Sequence, residues 1–202
     1  MHVLICFYSL YGHVHNLAKE IAKGVEAAGA VPMLRFVQET LPADVLQKMG
    51  AASAEARGAN LPVATPDDLA ACGAAIFGSP TRFGGMCAQM RTFLDRTGGL
   101  WAKNSLQGKV GSAFTSSNTQ HGGQEITLFS FHSFMLHHGM LIAGAPFSNP
   151  ALSSVSDISG GTPYGASTIA GPQGERSVTA NEADIARWQG EFVASVALKL
   201  AK

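Results

Sequence analysis

Five short apolar runs that alternate with segments of helical pattern most limit how this chain can fold. The runs cover residues 3–8, 31–37, 74–80, 109–117 and 140–147. They are rich in β-branched and aromatic residues, as is typical of strands covered on both faces in a parallel sheet. Parallel neighbours need crossover connections, which are usually helices. The sequence therefore predicts an α/β fold: a doubly wound five-stranded parallel sheet in the order 2-1-3-4-5, with helices on both faces.

Local signals predict where the helices begin and end. Gly29 follows a helical stripe of apolar residues and is predicted to end that helix. Thr65 before Pro66 predicts a helix start, and Thr179 with Glu182 three residues later predicts a capping box. Two further helices are predicted over residues 84–97, ended by the pair Gly98 and Gly99, and over 124–138.

Two connections are longer than usual. Residues 41–64 are rich in Ala and Gly and are predicted to form a surface connection with one helical turn. Residues 148–179 are rich in Ser, Gly and Pro, and a connection of this length is either functional or disordered.

Composition excludes several classes of partner. Lys plus Arg equals Asp plus Glu, at 14 each, so neither nucleic acid nor an acidic membrane surface is an expected partner. The odd count of three cysteines, without a CxxC pair, favours a reduced compartment. The first residues resemble neither a signal peptide nor a membrane span. We expect a cytoplasmic protein that forms one domain over residues 1–202 and does not insert into membranes.

Three polar loops follow the first, third and fourth predicted strands. They read SLYGHV from Ser9, SPTRFGG from Ser79 and TSSNTQHGG from Thr115. In a doubly wound sheet, ligands bind beyond the carboxyl ends of the strands, where the strand order reverses. The three loops are therefore predicted to meet in one crevice between the first and third strands.

The first loop suits an anion because Ser9 and Gly12 lie at a predicted helix start, where free N–H groups favour a phosphate. Ser9 could equally be a plain helix cap.

In the second loop, Arg82 could stabilise charge on a flavin ring that Phe83 lines. Alternatively, Arg82 could be a solvated surface residue and Phe83 a core residue. The residues of the third loop could bind the edges of the flavin ring, or they could simply form a turn. No Walker motif or GxGxxG is present, so a mononucleotide is favoured.

Histidine and cysteine carry weaker signals. The histidines occur in separate regions without Cys or carboxylate companions at ligand spacing, so we predict no metal site. His138 ends a predicted helix, where a cation would complement the helix dipole. Cys87 lies beside the predicted crevice, but no base is recognisable nearby and we expect it to be buried and inert.

Six stretches together carry a family resemblance: YSLYGHV, GSPTRFGGM, QMRTFLDRTGGLWA, GGQE, HHGM and GGTPYGASTIAG. From about residue 3 to residue 200, the chain resembles the tryptophan-repressor-binding protein (WrbA) family of FMN-dependent NAD(P)H:quinone oxidoreductases. The resemblance implies a flavodoxin-like fold and a homotetramer with FMN near the subunit boundaries. It also implies NADH or NADPH and a quinone as substrates.

The resemblance also implies site residues. Tyr11 would meet the nicotinamide, Trp101 would meet the quinone, and the flavin itself would carry the chemistry, so no catalytic side chain is implied. The implied FMN contacts are Ser9, Leu10, Tyr11, Gly12, His13, Val14, Thr81, Arg82, Phe83, Gly84, Ser116, Ser117, Asn118, Thr119, Gln120, His121, Gly122 and His137.

The chain departs from the family pattern in three places. Gly85 stands where the family commonly has Asn, and residues 118–121 read NTQH in place of a shorter glycine-rich loop. Both bear on the shape of the ring pocket. The segment at 50–61 is longer than in many relatives, and we expect it to alter the surface only.

The expected reaction is a two-electron reduction of a quinone by NAD(P)H, with the two substrates alternating at one stacking place. The rival functions are a flavodoxin-like electron carrier, which is usually more acidic than this chain, and a redox-regulated binding protein. Assembly is also expected because the 148–179 insert and Trp101 are hard to bury on a small monomer.

Overall fold

The structure is a computed structural model that describes residues 1–201. Its strands are β1 (His2–Phe7), β2 (Val31–Phe36), β3 (Ala74–Pro80), β4 (Val110–Ser117), β5 (Leu141–Ile142) and β6 (Ser167–Ile169). The sheet order is β2-β1-β3-β4-β5, and each of these neighbouring pairs is parallel. The predicted α/β fold and strand order are therefore confirmed.

Eight α-helices are described within residues 1–201. They are α1 (His13–Ala27), α2 (Ala43–Lys48), α3 (Ala54–Arg57), α4 (Pro66–Ala71), α5 (Ala88–Asp95), α6 (Gly98–Ala102), α7 (Gln124–His137) and α8 (Ala180–Leu200). Thr65 and Thr179 each form the N-terminal capping box of their helix. A Thr hydroxyl and a carboxylate three residues later each satisfy an N–H group that the helix cannot.

The last position of the sheet is shared by two strands. β5 pairs with the start of β4 at Val110 and Gly111, and β6 pairs with its end over Thr115–Ser117. The predicted fifth strand over 140–147 is therefore too long. After Ile142 the chain turns away, and the N–H of Ala145 donates to the carbonyl of Pro163. β6 was not predicted, because no apolar run marks its three residues.

The insert between these two strands is built into the fold. It contains a 3₁₀ helix over Pro150–Ser153, and it returns as β6. Glu182 on α8 is fully buried and accepts hydrogen bonds from the N–H groups of Gly160 and Ile169, at 2.9 and 3.0 Å. The alternative that residues 148–179 are disordered is therefore wrong, because part of the segment forms the 3₁₀ helix and β6.

Two predictions about helices are corrected. The helix predicted over 84–97 begins only at Ala88, because residues 82–85 form a tight turn. The pair Gly98 and Gly99 does not end a helix but begins α6, with Thr97 as its N-cap. Gly29, by contrast, follows α1 with a positive φ of 82°, as expected of a glycine that stops a helix.

The core lies on both faces of the sheet. The side chains of β1, β3 and β4 are almost all buried, and the largest fully buried ones include Phe7, Phe77 and Phe114. Within residues 1–201, no helix is long and apolar enough to cross a membrane. The strand ends that carry the three polar loops therefore lie at one edge of a rigid, well-packed sheet.

Candidate flavin site

The three polar loops meet in one cavity of about 430 Å³. We call residues 9–14 the first loop, residues 81–85 the second loop and residues 116–122 the third loop. Twelve of the residues implied by the resemblance line the cavity: Ser9, Leu10, Tyr11, His13, Val14, Thr81, Arg82, Ser116, Ser117, Asn118, Thr119 and Gly122. The volume is within the usual range for a small-molecule site.

The first loop leads into the start of α1, which no side chain caps. Gly12 is the N-cap residue, with φ 94°, and no side chain caps the helix. The hydroxyl of Ser9 accepts a 3.1 Å hydrogen bond from the N–H of Gly12, so Ser9 shapes the loop before the cap rather than capping the first turn. The first turn of α1 also contains no acidic side chain. Its free N–H groups and the positive end of the helix dipole therefore favour an anion in the cavity.

The second loop is a two-residue turn closed by reciprocal backbone hydrogen bonds between Arg82 and Gly85, of 2.8 and 3.0 Å. Phe83 and Gly84 both have positive φ, 52° and 78°, as such a turn requires. Phe83 is fully exposed. It is therefore not a core residue, and in the single chain it does not line the cavity. A non-glycine residue in this conformation carries strain, which is common at ligand sites.

Arg82 lies at the cavity, where its guanidinium donates a 2.9 Å hydrogen bond to the carbonyl of Thr81. The hydroxyl of Thr127 on α7 donates to that of Thr81 at 2.7 Å. Gly84 approaches α7 closely, since a Cβ added at Gly123 would lie 3.1 Å from the Cα of Gly84. The second loop is therefore fixed against the start of α7.

The third loop leads into a second uncapped helix. Gly123 is the N-cap of α7, with φ 91° and no side-chain cap. The amide of Gln124 donates to the carbonyls of Thr119 and Gln120, at 3.0 and 2.9 Å, and so holds the loop. Asn118 and Thr119 line the main cavity, whereas Gln120 and His121 line a neighbouring one. The NTQH sequence therefore places only its first half in the site.

His137 and Trp101 lie elsewhere. Together they line a separate cavity of about 360 Å³ beside α5 and α6. His137 ends α7, whose 14 residues span roughly 20 Å from the start near the third loop. Within one chain, neither side chain can touch a ligand held by the three loops. Their implied roles remain predictions that require a second copy of the chain.

Three residues that sequence reasoning missed also line the main cavity: Met49, Pro80 and Ala170. Pro80 ends β3, and Ala170 follows β6. Met49 belongs to the long connection, where its carbonyl accepts a 3.2 Å hydrogen bond from the Tyr11 hydroxyl. The N–H of Ala52 donates to the carbonyl of Leu10 at 3.1 Å. The expectation that residues 50–61 alter the surface only is therefore wrong, because this segment packs on the first loop.

Neither Cys87 nor His138 is favoured in its charged form. Cys87 is 1% exposed, and burial raises the pKa of its thiol, which disfavours the thiolate. Burial, and to a smaller extent His137, lowers the pKa of His138, so the expected cation at the end of α7 is disfavoured there. Among residues 1–201, no group of three or more His, Cys, Asp or Glu side chains is placed to hold a metal ion.

Comparison with known structures defines the class of fold. The structure is similar to that of a WrbA-like flavodoxin protein from Agrobacterium tumefaciens, with a TM-score of 0.66 and 24% identity, covering 98% of each chain. It is also similar to a flavodoxin from the domain Archaea, with a TM-score of 0.64 and 18% identity, covering 98% of this chain and 99% of that one. The fold is therefore flavodoxin-like, as the resemblance implied.

Comparison of sequences then gives the family. The family model described as NADPH-dependent FMN reductase matches residues 4–151. Proteins named NAD(P)H dehydrogenase (quinone) are 58% identical in Geotalea daltonii and 57% identical in Geobacter metallireducens, covering 99% of this chain and 98% and 99% of theirs. The chain belongs to the NADPH-dependent FMN reductase family.

The cavity fits the FMN that this family and fold indicate. The uncapped start of α1, at Gly12, leaves backbone N–H groups for a charged group. The Ser and Thr side chains of the third loop offer donors and acceptors for a polar ring edge. The cavity is also large enough for a ligand of this class.

Proposed function

We propose that this protein catalyses the transfer of two electrons from NADH or NADPH to a quinone, using FMN. The net reaction consumes the reduced nucleotide, one proton and the quinone, and it releases the oxidised nucleotide and the hydroquinone. The names of the relatives that are 57–58% identical along the whole chain support the proposal. The observation that carries it is the cavity in which the three loops meet beside the uncapped start of α1.

The first loop is proposed to hold the FMN phosphate, and the second and third loops to hold the ring. Bound FMN supplies the redox chemistry, because it can accept an electron pair and pass it on. The N–H groups at the start of α1 would neutralise the phosphate charge, with the Ser9 hydroxyl beside them. Arg82, whose guanidinium lies at the cavity, would offset negative charge that develops on the ring.

Tyr11 is proposed to form the place where flat substrates stack. Its side chain is 45% exposed at the cavity, and its hydroxyl is held by the carbonyl of Met49. An aromatic face anchored at its polar end presents a fixed surface to a nicotinamide or a quinone. Among residues 1–201, Tyr11 is the one Tyr, Phe or Trp side chain that lines the cavity, and we propose that the two substrates bind against it in turn.

A homotetramer is proposed to complete the site with Trp101 and His137 from another subunit. In the described chain both are exposed and far from the three loops, so only a second copy can bring them to the ligand. The outer face of α7 supports assembly, since Ile126 and Leu136 are 62% and 65% exposed. Exposed apolar surface of this kind is typical of an interface between subunits.

A cytoplasmic location and the absence of a nucleic-acid partner are also proposed. All three cysteines are free and buried, which suits a reducing compartment. The balance of 14 basic and 14 acidic residues offers no positive field for a nucleic acid.

An anaerobic spectral titration tests the proposed function. FMN-loaded protein is mixed with one equivalent of NADH or NADPH, and then with one equivalent of benzoquinone. The flavin absorption should bleach with the nucleotide and return with the quinone, without any other protein. A flavodoxin-like electron carrier would bleach only when a separate reductase is added, and that result would contradict the proposal.

A further inference from the structure

The long connection between β2 and α4 reaches the first loop through a short stretch that we call the cover segment, residues 49–57. Two hydrogen bonds join it to the first loop. The N–H of Ala52 donates to the carbonyl of Leu10 at 3.1 Å, and the hydroxyl of Tyr11 donates to the carbonyl of Met49 at 3.2 Å. Met49 also lines the cavity itself.

The cover segment also touches the start of α1. A ring nitrogen of His15 lies 3.0 Å from the carbonyl oxygen of Ala56. A Cβ added at Gly12 would lie 3.1 Å from the same oxygen. The backbone around Ala56 therefore limits the space behind the uncapped N–H groups of α1. Displacement of the cover segment would change the shape of the first loop.

The cover segment has little stability of its own. Its helix α3 has four residues, and α2, which precedes the segment, has six; isolated helices of this length do not persist in water. α2 buries no side chain, and Arg57 is the one residue that α3 buries. Besides the hydrogen bonds of its backbone, the contacts of Arg57 therefore hold the segment in place.

Arg57 forms an ion pair with Glu39, whose carboxylate also accepts hydrogen bonds from other parts of the fold. The guanidinium donates to one carboxylate oxygen of Glu39 at 2.9 Å, and the side chains are only 11% and 18% exposed. The Tyr8 hydroxyl donates to the same oxygen at 2.9 Å, and the Gln89 amide on α5 donates to the other at 3.2 Å. Tyr8 immediately precedes Ser9, so the same carboxylate holds both the cover segment and the chain that enters the first loop.

The carboxylate of Glu39 is kept ionised by these contacts. Burial alone would raise its pKa, but hydrogen bonds from the N–H of Leu41 and from the Tyr8 hydroxyl, among others, lower the pKa below its usual value. A carboxylate accepts from all its donors at once, whereas the protonated form would have to donate to one of them. The ionic form therefore matches the whole cluster.

We propose that Glu39 and Arg57 form a positioning pair that holds the cover segment on the first loop and thereby sets the affinity of the cavity for FMN and for the nucleotide. The proposal rests on the proposed function, in which the first loop holds the phosphate. Neither residue lines the cavity, so both act through Leu10, Tyr11 and Met49. Removal of one charge of a partly buried ion pair leaves the charge of the partner uncompensated. The contact between the cover segment and the first loop should then loosen.

Arg57→Met and Arg57→Lys test this proposal, with Arg35→Met as the matched control. Arg35 forms a similar pair with Asp68, at 3.1 Å with side chains 24% and 17% exposed, but it joins β2 to α4 and does not contact the first loop. Three measurements are compared: the FMN dissociation constant by fluorescence titration, the exchange rate of the Ala52 amide in the FMN-free protein, and steady-state kinetics (KM and kcat) at saturating FMN.

Arg57→Met should weaken FMN binding about tenfold, and the Ala52 amide should exchange faster. At saturating FMN, KM for the nucleotide should rise, because Tyr11 loses its hydrogen bond to Met49. The value of kcat should change little. Arg57→Lys should recover part of each effect, and Arg35→Met should lower the melting temperature without changing any of the three. A merely structural pair would give the same pattern for Arg57→Met as for Arg35→Met, and that result would overturn the proposal.

A second variant removes one contact and leaves the ion pair intact. Ala52→Pro eliminates the N–H that donates to Leu10 and should also weaken FMN binding. An FMN affinity equal to wild type in both Arg57→Met and Ala52→Pro would overturn the proposal. Failure of the wild type to reduce quinone would contradict the proposed function instead, since FMN affinity and amide exchange are measured without turnover.

Discussion

Ser9 and Gly12 close the first loop on itself, because the Ser9 hydroxyl accepts a 3.1 Å hydrogen bond from the Gly12 N–H just before α1 begins. The hydroxyl is thus held beside the uncapped end of the helix, with its own proton free to donate to an anion. This relationship underlies the proposed phosphate site.

Replacement of Ser9 by Ala should therefore weaken FMN binding. A hydrogen bond to a charged group contributes roughly 1.5–3 kcal/mol, so the dissociation constant should rise about ten- to a hundredfold. Titration of flavin fluorescence measures it. Thr65→Ala is the control, since it removes a hydroxyl from another helix start, at α4, and should lower stability by about 1 kcal/mol without affecting FMN. An unchanged FMN affinity in Ser9→Ala would exclude this loop as the phosphate site.

Replacement of Trp101 by Ala should raise KM for the quinone or lower turnover, while FMN affinity stays near wild type. The expected loss is ~1–3 kcal/mol of contact with the substrate. Trp101 is 57% exposed in the chain, so the melting temperature should change little. A core residue of this size would instead cost about 3–5 kcal/mol of stability. A collapse of the melting temperature with unaltered quinone kinetics would show that Trp101 is not an acceptor contact.

Replacement of Leu136 by Asp should disrupt assembly. Leu136 is 65% exposed on α7, and a charge there cannot be buried against another subunit without cost. Sedimentation of FMN-loaded wild type should give a tetramer and the variant a smaller species. Val31→Asp is the control, since Val31 is 51% exposed on the edge strand β2. A wild-type protein that sediments as a monomer at micromolar concentration would contradict the proposed tetramer.

Stability should fall as pH drops from neutral. Burial lowers the pKa values of His132 and His138 in the folded chain, whereas unfolded histidine titrates near about 6.5. Below that pH the unfolded chain binds more protons than the folded one, so this contribution is complete above the unfolded pKa and is lost as pH falls. Urea unfolding at several pH values between neutral and mildly acid measures the slope.

His138→Gln supplies the matching variant for that measurement. It should flatten the pH dependence, because one group that stays neutral in the fold no longer titrates. Gln can retain a contact with the Thr97 hydroxyl, which lies 3.0 Å from the ring nitrogen of His138. An equal slope in wild type and variant would show that His138 does not contribute.

The sequence predicted the interior of the fold better than its periphery. β1, β3 and β4 are buried on both faces, so their continuous apolar runs were readable. Thr65 and Thr179 were readable because capping is local chemistry. β6 was missed because its three residues, Ser167–Ile169, form a strand only where the end of β4 offers a free edge. That pairing is a tertiary effect that a short polar stretch does not signal.

The candidate site was likewise predicted only in part. Loops that follow buried strands could be placed from topology alone, and twelve implied residues line the cavity. The contribution of Met49 could not be predicted, because it rests on a tertiary contact in which the Met49 carbonyl accepts from the Tyr11 hydroxyl, 38 residues away in the chain. The roles of His137 and Trp101 are implied only by the resemblance, and within one chain the two residues line a different cavity.

The most direct test of the proposed function is a set of initial rates with FMN-loaded wild type, in which quinone is varied at several fixed concentrations of NADH or NADPH. One stacking place at Tyr11, used by the two substrates in turn, predicts parallel lines in a double-reciprocal plot. Intersecting lines would mean that nucleotide and quinone are bound together, and would contradict the shared place. An absence of quinone-dependent oxidation of either nucleotide would contradict the proposed reaction itself.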